Sequence, residues 1–181
     1  MRIWKHVVLL LSLMVGGYSA FADDSVNINI NISGTVVANG ACTFNNGDSA
    51  TVDFSEVDFE PADGGTVLSG SYLETVPATM SCTGDAGGKA QMTFSPVGGV
   101  TLDYNGHKLL PVSINDSNPG QELGIRLLVN GLVQDVNAPF AVDMLTQQPA
   151  IQAELVLVGQ GDGLINGARI SASATLIMEF V

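Results

Sequence analysis

Val26-Asn27-Ile28-Asn29-Ile30-Asn31-Ile32 alternates without a break, four β-branched residues separated by three asparagines. Successive side chains of a strand point to opposite faces, so this run is a β-strand with an apolar ribbon and a polar back. Asn and Ile both rank low in helix propensity, which removes the helical reading. Gly34 falls on the ribbon side two residues after Ile32, where the lack of a side chain permits close backbone approach. Periodicity alone leaves two uses open. The plainer is the first strand of the chain's own domain. The sharper is an interaction strand that completes another molecule, suggested by its terminal position and its short, regular apolar face.

Upstream, residues 1–22 read as a secretory signal peptide. Arg2, Lys5 and His6 form a basic head, Val7 to Val15 an apolar stretch, and Ala20-Phe21-Ala22 a cleavage box. The apolar run is too short for a stable bilayer-spanning helix. Its removal takes the net charge from −12 to −14 and leaves His107 as the mature chain's histidine. Such an acidic chain cannot neutralise a phosphate backbone, so no nucleic-acid partner is expected. Charged residues are 13% of the chain and hydrophobic residues 46%. That balance argues against disorder and for a single domain with a sizeable core.

Downstream, strand-like runs alternate with turn clusters. The runs are 50–59, 76–82, 90–94, 109–114, 122–129, 151–158 and 170–180, divided by Gly-, Asn- and Asp-rich stretches such as Ala62-Asp63-Gly64-Gly65 and Gly159-Gln160-Gly161-Asp162-Gly163. This spacing reads as an all-β sandwich. Asn130-Gly131 between Leu128-Val129 and Leu132-Val133 is a two-residue hairpin signal. In the final run Leu176, Met178 and Phe180 fall on one face, with Ile177 and Glu179 on the other.

Cys42 and Cys82 are the two cysteines, and both lie in the exported part, where thiols oxidise and persist as a disulfide. One distant histidine cannot complete a soft metal site around them, so no metal or other cofactor is expected. No hydrolase, zinc-protease or nucleotide-binding motif occurs, and no catalytic residue is assigned. Gly87-Gly88-Lys89-Ala90 lacks the Ser or Thr of a phosphate loop and reads as a turn. His107 likewise reads as a turn residue in Tyr104-Asn105-Gly106-His107. Asp53, Glu56, Asp58, Glu60 and Asp63 alternate with Phe54, Val57 and Phe59, the pattern of a solvated strand face rather than a Ca²⁺ site.

Four features in order resemble the pilin subunits of chaperone–usher fimbriae, of the type 1 and P pilus kind. They are the arm Val26-x-Ile28-x-Ile30-x-Ile32-x-Gly34; Gly34-Thr35-Val36-Val37 leading to Ala41-Cys42-Thr43-Phe44; the second cysteine forty residues on in Pro77-Ala78-Thr79-Met80-Ser81-Cys82; and the ending Ala172-Ser173-Ala174-Thr175-Leu176-Ile177-Met178-Glu179-Phe180-Val181. The similarity runs through nearly all of the mature chain and is weakest between about residues 95 and 150. The chain departs from the family's pattern in having Phe180 where a tyrosine is usual, and in the place of Gly167, one residue further from the end.

The resemblance implies an immunoglobulin-like β-sandwich lacking its last strand. Residues 23–33 would be a donor arm and residues 34–181 the pilin domain. A periplasmic chaperone would fill the open groove, with Leu176, Met178 and Phe180 at the groove edge and chaperone contact. At an outer-membrane usher the arm of a neighbouring subunit would replace it, a form of strand addition. Val26, Ile28, Ile30 and Ile32 would then fill pockets, with Gly34 where the groove narrows. Full burial of four such side chains supplies up to about 6–12 kcal/mol before ordering costs. The expected role is a structural subunit of an adhesive fimbrium, exported through the periplasm to the cell surface. The alternative is a minor tip subunit that binds a host-cell receptor or glycan.

Overall fold

The computed structural model describes residues 26–30, 40–84, 90–116, 120–142, 148–162, 164–165 and 167–180. The expected signal segment, and Asn31 to Ala38 with Asn39, lie outside the described residues. The first strands are β1 (Val26–Ile30), β2 (Gly40–Phe44), β3 (Ala50–Ser55), β4 (Phe59–Ala62), β5 (Gly65–Leu68) and β6 (Tyr72–Thr75). Next come β7 (Met80–Gly84), β8 (Ala90–Pro96), β9 (Leu102–Tyr104), β10 (His107–Pro111) and β11 (Ser113–Ile114). The last are β12 (Leu123–Val129), β13 (Leu132–Gln134), β14 (Phe140–Val142), β15 (Ile151–Leu157), β16 (Ile170–Ser171) and β17 (Ala174–Phe180). Among the described residues the helical content is one 3-10 turn, Asn45–Gly47.

The chain is all-β, and its strand pairs are antiparallel. The largest sheet runs β6-β15-β12-β10-β9, with β13 also on β12; a second runs β14-β8-β17. Alternation explains how they meet. Ala90, Met92 and Phe94 of β8 and Ala174, Leu176 and Met178 of β17 are fully buried, as are Leu123, Ile125 and Leu127 of β12 with Ala153 of β15. These inner faces share one apolar core, consistent with a β-sandwich. The outward faces of β12 and β15 carry one ion pair: Arg126 lies opposite Glu154 in register and its Nη1 donates to the carboxylate at 2.8 Å.

Turn chemistry follows the sequence closely at two places. Asn130-Gly131 makes the tight β12–β13 hairpin, with φ of 51° and 78° and Val129 opposite Leu132. Positive φ at both central residues is the hairpin geometry that Asn-Gly favours. Asn105-Gly106 does the same between β9 and β10, with φ of 50° and 82°.

Several expected strands are shorter than their apolar pattern, for local reasons. The run 50–59 is two strands, because Ser55 turns the chain at φ 56° and its N–H donates to the Asp53 carboxylate at 2.8 Å. The run 76–82 starts its strand only at Met80, since Pro77 has no N–H to give a ladder. The run 170–180 keeps one face buried from Ile170 to Met178 but changes neighbours. Ile170–Ser171 pairs with β11, whereas Ala174–Phe180 pairs with β8. The β4–β5 hairpin and the short strands β2, β6, β9 and β14 go beyond the sequence reading.

The loop after β15 is held from below by one carboxylate. Glu122 Oε2 accepts from the N–H of Gly161 at 2.7 Å and of Asp162 at 3.1 Å, and its backbone carbonyl accepts from Val158 and Gly159. Gly159 is so close that a Cβ there would overlap that carboxylate.

Candidate functional site

The terminal strand β1 lies along β3. Ile28 sits opposite Val52, Asn29 opposite Thr51 and Ile30 opposite Ala50, in antiparallel register, with an irregularity between Val26 and Asn27. Ile30 has no solvent exposure. The strand also lies against β16 and β17, the two pieces of the C-terminal run. Thus the described part of the expected arm is folded back on its own chain. Ile32 and Gly34, also assigned to the arm, lie outside the described residues.

The acceptor strand is simple. Ala50, Val52 and Phe54 of β3 point into the core at 2–3% exposure, while Thr51, Asp53 and Ser55 point out. Among the described residues β3 has β1 as its one ladder neighbour. The C-terminal strand has one as well, β8. There Leu176 lies opposite Phe94, Met178 opposite Met92 and Phe180 opposite Ala90. Leu176 and Met178 are fully buried, and Phe180 is half-buried against the same core. Ile177 and Glu179 take the other face, and Glu179 is exposed. The residues of the expected donor strand and of the expected groove edge therefore come from opposite ends of the chain to one region. Sequence reasoning missed β3 as the partner of β1. The available signal was its own apolar alternation at Ala50, Val52 and Phe54.

Cys42 and Cys82 form a disulfide directly across the β2–β7 ladder, with their Cα atoms 4.0 Å apart. The bond ties β2, which begins at Gly40, to β7. Asn45 continues this clip, its N–H donating to the Thr79 carbonyl at 2.7 Å and its Oδ1 accepting from the Thr79 N–H at 2.8 Å. The disulfide thus ties β2 to β7, while β1 is held by one ladder among the described residues.

The residues weighed for other chemistry are placed differently. Asp53, Glu56, Asp58, Glu60 and Asp63 are exposed, but they do not share one strand face, since they spread over β3, β4 and the turns beside them. Among the described residues no group of three His, Cys, Asp or Glu could hold a metal ion. His107 is not in the turn; it is the first residue of β10, and its Nδ1 lies 2.9 Å from Asp135 Oδ1. Asp135 also accepts from the Lys108 N–H at 3.2 Å.

The hydrogen bond with His107 holds the Asp135 carboxyl below its usual value, against an opposing push from burial and with help from the Lys108 N–H. A depressed carboxyl contributes stability that is full above its unfolded-state pKa and is lost as pH falls through the folded value. With side-chain exposures of 43% and 39%, the pair is worth under about 1 kcal/mol. Asp135→Asn is therefore expected to lower the urea midpoint slightly at neutral pH and to match the wild type below the carboxylate range. An equal deficit at both pH values would contradict the assignment.

No family model matches this sequence, and no curated protein is significantly similar to it.

Proposed function

We propose that the chain is a structural subunit of a chaperone–usher adhesive fimbrium, an immunoglobulin-like sandwich that polymerises head-to-tail by donor-strand exchange. The observation that carries this reading is the ladder of β1. A regular alternating strand near the start of the chain is paired on one side, to β3, and lies beside a C-terminal strand that is itself paired on one side among the described residues. A strand held this way can be replaced by the same strand of another copy without disturbing the two larger sheets. Antiparallel addition satisfies backbone donors and acceptors, and the alternate apolar side chains supply specificity.

The contact is heterologous, because the arm of one subunit meets the groove of the next, so it propagates as a filament rather than closing. The partners on this reading are neighbouring subunits, a periplasmic chaperone that covers the groove, and an outer-membrane usher where exchange occurs. The assembled fibre is the cell-surface structure that contacts host-cell receptors. The disulfide suits such a route, since it forms in an oxidising compartment.

Deletion of residues 23–33 tests the proposal. Expressed with its chaperone and usher, the truncated subunit is expected to reach the periplasm and to be lost from surface fibres at least tenfold relative to the full chain. Fibres that incorporate it at the full level would overturn the reading.

A further inference from the structure

We infer that the outer face of the largest sheet is a contact between two copies of this chain, paired side by side about a two-fold axis. The core covers one face of the sheet β6-β15-β12-β10-β9, through Leu123, Ile125 and Leu127 of β12 and Ala153 and Leu155 of β15. The alternate residues therefore point away from the core. In a sheet covered on one side the other face is usually polar. Here Leu128, Val133 and Val156 stand on it half-buried, and Leu73 of the edge strand β6 is 44% exposed. In the middle Arg126 lies opposite Glu154, and Leu73 is the next residue in the same row.

Two observations name the occupant. The first is charge. The chain has a net charge of −12, and among the described residues Lys108, Arg126 and Arg169 are each paired with a carboxylate. Copies of so acidic a chain repel one another. On this face Arg126 and Glu154 cancel and the residues named beside them are uncharged, so two copies can approach through it. The second is the arrangement of the pair. Turning a copy over, about an axis parallel to the strands and midway between β12 and β15, sets Arg126 of each copy over Glu154 of the other. The face is thus complementary to itself. The same turn lays β6, with Leu73, over the β10 and β13 side of the other copy, where Val133 lies. Arg126 reaches its own Glu154 through Nη1 at 2.8 Å, and a guanidinium has further N–H groups to offer a second carboxylate.

The surface is apart from β1, β3 and β17, which belong to other sheets, so the contact neither needs arm exchange nor competes with a chaperone in the groove. A two-fold contact cannot relate successive subunits of a polar head-to-tail chain. In fibres of such subunits it therefore joins one fibre to another side by side.

Sedimentation of the purified full chain tests the contact, with Arg126→Glu and Glu154→Arg made singly. The unmodified chain is expected to form a concentration-dependent dimer. Each single variant is expected to dimerise at least tenfold more weakly, because like charges then face each other across the axis. An equal mixture of the two variants is expected to recover pairing as a heterodimer, since opposite charges meet again between copies. That recovery separates the contact from the ion pair inside one copy, which both variants lack. Should either variant fail to fold, Leu73→Asp on the exposed edge decides: it is expected to unfold at the same urea concentration as the unmodified chain and to be monomeric. An unmodified chain that stays monomeric, single variants that dimerise at the full level, a folded mixture that recovers nothing, or a folded Leu73→Asp that still dimerises would each overturn the contact. Deletion of residues 23–33 tests the donor arm separately, so neither result stands in for the other.

Discussion

Replacing both Cys42 and Cys82 by serine is expected to lower the unfolding free energy by about 4 kcal/mol. The bond closes a loop of 41 residues, from Cys42 to Cys82 inclusive, so its loss frees a long segment in the unfolded chain. That loop contains β3, β4, β5 and β6, including the strand on which β1 lies. The effect is large against the 5–15 kcal/mol that typically separates folded from unfolded states. Urea denaturation of the double variant under non-reducing conditions measures it. The double variant is the right comparison, because one remaining thiol would be free to form disulfides between molecules. A loss below about 1 kcal/mol would mean that the unfolded chain is restrained by something other than the bond.

Phe94→Ala is expected to be equally damaging, at about 3–5 kcal/mol. Phe94 has no solvent exposure, lies opposite Leu176 in the β8–β17 ladder, and stacks on Phe140 with ring centroids 5.6 Å apart. It therefore links all three strands of the smaller sheet, with β8 in the middle. Its backbone carbonyl also accepts from the Asn137 N–H at 2.7 Å, which holds the connection to β14. Phe94→Leu keeps most of the volume and is expected to lose less than about 1.5 kcal/mol. The pair separates packing from backbone effects. If alanine and leucine unfold at the same urea concentration, the ring is not filling the space assigned to it.

Much of the fold can be read from residue patterns. Strict alternation at 26–32 marks a strand, and the same period at 90–94, 151–158 and 170–180 identifies the faces that turn out buried. Asn130-Gly131 identifies its hairpin because the turn needs positive φ at both residues. The two cysteines identify their own bond, since a count of two leaves one intrachain pairing. Each of these signals is local, or, for the cysteines, a matter of count.

Partner choice was not local. Alternation fixes which side chains face inward but not which strand lies alongside. Nothing in Val26-Asn27-Ile28-Asn29-Ile30 specifies that β3, rather than β17, takes its ladder; that is decided by how the segments between Ala50 and Ser55 and between Ile170 and Phe180 come together around the core. The run 170–180 makes the same point. Its pattern is continuous from Ile170 to Phe180, yet the strand leaves β11 for β8 at Ala172-Ser173. His107 is a third case, since its partner Asp135 lies 28 residues away and meets it only because the Asn105-Gly106 turn starts β10 beside the end of β13. The sequence by itself determined a disulfide-bonded, all-β chain with a regularly alternating strand near its start. The tertiary structure alone decided where that strand rests, because the edge that receives it exists only after the distant parts of the chain have packed.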